Sequence, residues 1–255
     1  MLLKFDVGGI EVFYSKELDG GGTGFGMLYP SIIKNNIGYS ETCLEAFSGP
    51  GFIGFSLLAS GLCKNIILAD INKNVEKYIK KTIKVNHLEG RVKFYNTNII
   101  DRLVKEKIKV DLVVGNPPHF SVWPKMYDLH KSKIEVLKTV DKMWHLHKKF
   151  YNAVNEILNP NSNIVLVENK KGSNPSIFRS MLDKNLVYVG TIEPSMQQII
   201  GAIRINLLNS RTPLYRAVAQ YNRLFNLAIK TLILIKPIKN WIAEFENFYF
   251  LVQKY

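Results

Sequence analysis

From residue 41 onward, short apolar runs alternate with amphipathic stretches. The runs 42–47 (TCLEAF), 65–70 (NIILAD), 91–96 (RVKFYN), 110–115 (VDLVVG), 163–169 (NIVLVEN) and 186–193 (LVYVGTIE) are brief, mostly rich in β-branched or aromatic residues, and bounded by turn formers. That pattern predicts strands. Between them, helical spacing predicts helices over Phe55–Ser60, 73–86, roughly 131–158 and near 175–183. Strands that alternate with helices predict a doubly wound α/β domain, with a mostly parallel sheet covered on both faces. A last strand, Phe248 to Gln253, completes the sheet, and Asn159-Pro160-Asn161-Ser162 and Pro237 read as breakers.

The two ends depart from this rhythm. Residues 2–14 alternate around Gly8-Gly9, which predicts a small hairpin. Asp19-Gly20-Gly21-Gly22-Thr23-Gly24-Phe25-Gly26 follows, a glycine run that forms either a mobile lid or a tight backbone cradle. Residues 1–40 therefore read as a hairpin and lid segment, and 41–255 as the main domain with a helical insertion over 195–245. In that insertion Thr212-Pro213 starts a helix. Leu214, Ala217, Val218 and Tyr221 fall on one face, and Arg216, Arg223 and Lys230 recur every seven residues on the other.

Composition adds limits. At 255 residues the chain makes one large domain, or one with an appendage, and 47% apolar against 22% charged residues excludes a disordered scaffold. Of the net charge of +13, residues 195–255 hold eight bases and two acids, a surplus of +6. Two readings stay open: a surface for a polyanion, or the habit of a lysine-rich chain. Cys43 and Cys63 lack metal-ligand spacing, which implies a reduced compartment and no zinc. The N-terminus lacks a secretory pattern. The run Leu227–Ile238 is broken by Lys230 and Lys236 and is too short to span a bilayer, so a soluble, cytoplasmic protein with no membrane partner is expected.

Leu44-Glu45-Ala46-Phe47-Ser48-Gly49-Pro50-Gly51-Phe52-Ile53-Gly54 closes the first parallel strand and opens a helix. Gly49, Gly51 and Gly54 satisfy the dinucleotide glycine pattern, and Asp70, at the next strand end, suits ribose hydroxyls. Glu45 separates two cofactors. A carboxylate beside the loop repels a pyrophosphate and favours the cationic sulfonium and ammonium of S-adenosylmethionine. The plain alternative pairs Glu45 with a lysine.

Gly115-Asn116-Pro117-Pro118-His119-Phe120 ends the fourth strand, at the edge where ligands bind in open α/β sheets. Two prolines fix the backbone and remove two donors. The Asn116 side-chain oxygen and the Pro117 carbonyl remain as paired acceptors for a planar NH2 group. Hydrogen bonds that draw such a nitrogen toward tetrahedral geometry free its lone pair to attack a methyl sulfonium. His119 or Phe120 offers a flat surface for stacking, and His119 also offers a titratable group that orients or accepts a proton.

Over roughly residues 41–194 these motifs resemble the class I S-adenosylmethionine-dependent methyltransferases of the N-P-P-aromatic group. That group includes adenine-N6 and guanine-N2 nucleic-acid methyltransferases and glutamine-amide methyltransferases of release factors and ribosomal proteins. The resemblance implies a Rossmann-like, seven-stranded sheet with one antiparallel strand. It implies that Glu45, Gly49 and Gly51, with Phe47 in the same loop, bind along the methionine moiety. Asp70 would hold the ribose, and Asn98, where an Asp is usual, the adenine amino group. Asn116, Pro117, Pro118 and His119 would hold the target nitrogen; His119 stands where an aromatic carbocycle is more frequent.

Further substrate-binding candidates are Asp19, Phe120, Trp123, Glu168, Arg216 and Arg223, each with a packing or surface alternative. Tyr29 and Pro30 are candidates for the pocket wall. His145 and His147, two residues apart on a helix, face apart and do not suggest a metal site. The leading expectation is an N-methyltransferase acting on a nucleic-acid base, RNA before DNA. A protein glutamine amide or a small-molecule amine is the alternative acceptor, and an NAD-dependent oxidoreductase or a non-catalytic adaptor the rival class.

Overall fold

The computed structural model describes residues 1–122, 133–209, 216 and 247–254. The chain starts with strands β1 (Leu3–Asp6) and β2 (Glu11–Tyr14), an antiparallel hairpin, followed by helix α1 (Tyr29–Asn36). Next come β3 (Ser40–Ala46), α2 (Phe52–Ala59), β4 (Cys63–Asp70), α3 (Glu76–Val85), β5 (Val92–Asn96), α4 (Asp101–Lys105) and β6 (Val110–Gly115). Then follow α5 (Lys133–Thr139), α6 (His145–Val154), β7 (Leu158–Asn169), α7 (Pro175–Arg179), β8 (Leu186–Ile192), α8 (Met196–Leu208) and β9 (Asn247–Lys254).

Strands β3 to β9 form one seven-stranded sheet in the order β5-β4-β3-β6-β7-β9-β8. Pairings from β5 across to β7 are parallel, and β9 runs antiparallel to both of its neighbours, β7 and β8. This is the doubly wound, mostly parallel sheet that the sequence pattern predicts, with the seven strands and one antiparallel strand that the resemblance implies.

Strand parity explains the two-sided core, because successive side chains point to opposite faces. Cys43, Ile66, Leu68, Leu112, Val114, Val165 and Val167 pack on one face with α1, α2, α3, α8 and the hairpin. Leu44, Ala46, Ile67, Ala69, Val113, Ile164 and Leu166 pack on the other with α4, α6 and α7. The hairpin is tied to α3, since Thr82 Oγ1 accepts from Phe13 N at 2.9 Å and Asn86 Oδ1 from Glu11 N at 2.9 Å.

Two expectations are corrected. The helix expected over 131–158 is two helices, because Met143 and Trp144 take left-handed backbone angles (φ 55° and 59°) and Asp141 starts a new helix. Its Oδ1 and Oδ2 accept from Leu146 N and His147 N at 2.8 and 3.0 Å. The breaker at 159–162 is a bulge inside β7, where pairing with β6 steps from Leu158 to Asn163 and Asn161 has φ 60°. The helix proposed to start at Thr212-Pro213 lies outside the described residues except for Arg216. No described helix is long and apolar enough to cross a membrane.

Candidate active site

The carboxyl ends of β3, β4 and β6 meet at one edge, where Ala46 pairs with Ala69 and with Gly115. The loop leaving β3 turns sharply: Phe47, Gly49 and Gly51 have φ of 56°, 49° and 91°. At Gly51 a Cβ would lie 2.8 Å from Leu68 Cδ1 and 2.9 Å from Phe55, so neither the angle nor the space admits a side chain.

Glu45 is not an open carboxylate facing the crevice. Its side chain is buried beneath the loop, and Oε2 accepts from Gly54 N at 2.6 Å, serving the amino end of α2. Burial raises its pKa to about 8, which keeps it protonated at neutral pH. No lysine pairs with it among the described residues. Glu45 therefore presents no negative charge to the crevice that would discriminate a pyrophosphate from a sulfonium.

Asp70 ends β4 with Oδ2 accepting from Gly49 N and Oδ1 from Asn72 N, both at 2.7 Å. It ties the glycine loop to the next strand. Burial raises its pKa despite these two bonds. Asn98 is exposed in the loop between β5 and α4.

At the end of β6 the backbone is confined. A Cβ on Gly115 would lie 2.7 Å from Ala46 O, and the Tyr29 hydroxyl donates to Gly115 O at 2.6 Å. Tyr29 is fully buried, so it supports the strand end from below and does not line a pocket. Asn116 Nδ2 donates to Gly20 O at 2.6 Å. Asn116 Oδ1 is buried and has no hydrogen-bond partner among the described residues. Pro117 and Pro118 are buried.

The Gly-rich run folds over this turn. Asp19 Oδ1 accepts from Gly21 N at 3.0 Å and its Oδ2 from the Thr23 hydroxyl, so the carboxylate shapes the loop that presents Gly20. Lys138 of α5 donates to Glu17 O at 2.8 Å and Asp19 O at 3.0 Å. These bonds describe a braced cradle. Phe120 is buried, its backbone bridging to Val140 and bonding to Thr139 O and Asp141 N, so it is held in packing and does not present a free ring.

Sequence reasoning missed a buried chain of titratable groups behind the turn. His147 Nδ1 lies 2.6 Å from Asp141 Oδ2, and His147 Nε2 lies 2.9 Å from Glu168 Oε1. Glu168 Oε2 stands 3.5 Å from Nδ1 of His119. Glu168 is wholly buried, so it backs His119 and is not positioned as a substrate contact. Burial opposes a charge on His147, but Glu168 and Asp141 outweigh it and raise the imidazole to about 9. Glu168 and Asp141 are lowered by their histidine partners, against the opposing effect of burial. The residues stand at 119, 141, 147 and 168, so no local motif could have signalled them.

Trp123 and Arg223 lie outside the described residues. Arg216 is exposed and lines a cavity of about 710 Å³ with Phe5, Asp6, Phe13, Asn206 and Asn209, a set that includes none of the Asn116 turn. Cys43 and Cys63 are buried free thiols. Among the described residues no cluster of three or more His, Cys, Asp or Glu is arranged to hold a metal.

The family model "Methyltransferase small domain" matches residues 9–192. Over 118 residues the chain is 33% identical to a tRNA (guanine(26)-N(2))-dimethyltransferase from Sulfolobus acidocaldarius, covering 45% of this chain and 28% of that protein. Over 111 residues it is 33% identical to a release factor glutamine methyltransferase from Leptospira interrogans, covering 43% of this chain and 35% of that one. The matches thus span about a third of these relatives' own length. In fold the chain is similar to the 16S rRNA N2 G1207 methyltransferase of Thermus thermophilus, solved with S-adenosylmethionine and guanosine. The TM-score is 0.50 at 13% identity, over 74% of this chain and 47% of that one.

Proposed function

The chain belongs to the methyltransferase small-domain family, and from that premise we propose that it transfers a methyl group from S-adenosylmethionine to a planar NH2 nitrogen, an RNA base being the preferred acceptor. The residues at the sheet edge fit this cofactor. The sharply turned loop from Phe47 to Gly51, with no side chain at Gly49 or Gly51, would hold the methionine part, Asp70 the ribose hydroxyls and Asn98 the adenine amino group. The cofactor supplies, when bound, a methyl carbon made electrophilic by sulfonium. Its assignment rests on the family, since Glu45 is buried and does not repel a pyrophosphate.

The orphaned oxygen of Asn116 carries the reading. Its amide nitrogen is committed to Gly20 O, so the amide orientation is fixed and Oδ1 is left as a buried acceptor with nothing described to receive. Leaving such an atom unbonded costs roughly 1–3 kcal/mol, and a substrate NH2 group removes that cost. Pro117 and Pro118 offer no backbone donors and the Asn116 amide nitrogen is already committed, which leaves the Asn116 oxygen and the Pro117 carbonyl as the acceptors this reading uses. Hydrogen bonds from the amine to Oδ1 and to the Pro117 carbonyl draw its nitrogen toward tetrahedral geometry and align its lone pair for attack.

Replacing Asn116 with Ala tests this. Turnover should fall at least a hundredfold, as for loss of a principal transition-state contact. Binding of S-adenosylhomocysteine, read as a thermal shift, should change little. Undiminished turnover would overturn the assignment.

The surplus of +6 in residues 195–255 supports RNA as the acceptor, as does the tRNA substrate in the name of one relative. The glutamine methyltransferase relative supports a protein amide as the second reading. Salt separates them. Transfer to RNA should fall steeply between 50 and 200 mM salt, whereas transfer to a glutamine amide should respond weakly. This reading places the enzyme in the cytoplasm with its acceptor.

A further inference from the structure

Helix α3 and the short 3-10 turn Lys73–Val75 that leads into it carry five lysines, at 73, 77, 80, 81 and 84, against a single acid, Glu76. All five lysines are exposed. Lys77, Lys80, Lys81 and Lys84 fall within an arc of about 100° on the helix, and the buried Ile79 and Thr82 point the opposite way, into the core and the hairpin. Glu76 binds Lys80 at 2.7 Å, and the other four lysines make no ion pair among the described residues. This face works against the helix that carries it. Lys77 and Lys81, Lys80 and Lys84, Lys77 and Lys80, and Lys81 and Lys84 are like charges three or four residues apart, and they repel. Lys73 and Lys77 also stand at the amino end, where the helix dipole disfavours cations. A helix shaped for packing alone gains nothing from such a face, whereas an anion laid along it relieves the repulsion.

We propose that the lysine face of α3 is the docking surface for the phosphate backbone of an RNA acceptor. This rests on the proposed methylation of an RNA base. The row is placed for it. It begins three residues after Asp70, whose Oδ2 accepts from Gly49 N, so its amino end stands at the sheet edge that also carries the glycine loop and the Asn116 turn. It continues beside the hairpin, where Lys81 Nζ sits 4.7 Å from the centroid of the Phe13 ring and Phe13 N donates to Thr82 Oγ1 at 2.9 Å.

The spacing suits a polyanion of regular repeat. Steps of three and four residues set neighbouring Cβ atoms roughly 5–6 Å apart. From Lys73 to Lys84 the row runs about 16 Å, at 1.5 Å per residue. Such a row meets successive phosphates along one strand. Lysine is a point charge on a flexible stem, so it holds phosphates without reading bases. The α3 face then supplies affinity and register, and the choice of the reacting nitrogen falls to the Asn116 turn.

The test compares two triple variants of the full chain. Lys77→Gln, Lys81→Gln and Lys84→Gln together clear the face and spare Lys80, which Glu76 holds. Lys105→Gln, Lys107→Gln and Lys148→Gln remove as much charge from exposed positions around α4 and α6, which pack on the opposite face of the sheet. The probe is fluorescently labelled unfractionated tRNA, followed by anisotropy between 50 and 200 mM salt. The α3 variant should bind at least roughly tenfold more weakly, and its slope of log affinity against log salt should shrink by about 2–3, close to one per lysine. The control should keep the wild-type slope. The melting temperature of the α3 variant should not fall, because like-charged neighbours are removed, and S-adenosylhomocysteine binding should stay at the wild-type level. Equal losses in the two variants, no loss in the α3 variant, or no RNA binding by the wild type would each overturn the proposal. Poly-glutamate that displaces the labelled RNA as well as unlabelled RNA does would assign the face to an acidic protein and overturn it too. RNA gripped through α3 yet left unmethylated would sink the proposed reaction and uphold the surface. RNA bound and methylated equally well by the wild type and the α3 variant would do the reverse.

Discussion

Glu45 and Gly54 are joined across the glycine loop, with the carboxyl Oε2 accepting the helix amide at 2.6 Å in a site only 2% exposed. The bond needs an acceptor oxygen and does not need a charge. Because burial raises the folded-state pKa to about 8 from 4.5, the native state holds a proton that the unfolded chain releases. Stability from this group is therefore greatest below pH 4.5 and is lost as pH climbs toward 8. At pH 7 the loss amounts to roughly 3 kcal/mol, at 1.36 kcal/mol per pH unit. Glu45→Gln keeps the oxygen and removes the titration. Urea unfolding at pH 5 and pH 8 should show the wild type losing several kcal/mol more than the variant, and parallel pH profiles would refute a protonated Glu45.

Gly172, in the turn after β7, presses on the backbone just after the Asn116 turn. A Cβ there would lie 2.3 Å from His119 O and 2.6 Å from the Phe120 ring. The first obstacle is backbone, so the turn must move. Gly172→Ala should destabilise by about 1–3 kcal/mol, as overpacking does. Turnover should fall further than stability suggests, since a 1 Å displacement of reacting groups can cost about a hundredfold. Gly201→Ala is the control: its Cβ would meet nothing within 4 Å on α8 and should add about 0.5–1 kcal/mol of stability. Wild-type kinetics in Gly172→Ala would show that the turn tolerates the shift.

The sheet was legible in the sequence because its strands are buried on both faces and so appear as compact apolar runs between turn formers. The Asn116 turn was legible because its chemistry is contiguous. Direction was harder to read. In a strand covered on both sides, parity alone does not say whether Glu45 faces the crevice or the helix, and it faces the helix. The break between α5 and α6 was hidden because apolar spacing continues across Met143 and Trp144, where only the backbone angle changes. The buried contacts that link Asp141, His147, Glu168 and His119 join distant positions of the chain, so no stretch of sequence displays them together.

Tyr29 connects the fold's core to its chemistry most directly. Its hydroxyl donates to Gly115 O at 2.6 Å and also approaches Val165 O at 3.1 Å, which locks the end of β6 to β7 one residue before Asn116. Burial holds the phenol protonated well past its ordinary range, so the donor persists through alkaline pH. Tyr29→Phe preserves the ring and its edge-on packing against Tyr249, at 5.0 Å between centroids, and removes only the donor. With that donor gone, the carbonyls lose a buried bond at a cost of about 1–3 kcal/mol, measurable by urea unfolding. The same variant should lower kcat several-fold while S-adenosylhomocysteine binding stays near wild type, because the strand end that aims Asn116 is loosened and the glycine loop on β3 is not. Equal loss of cofactor affinity and kcat would show instead that Tyr29 supports the whole sheet edge, with no special purchase on the turn.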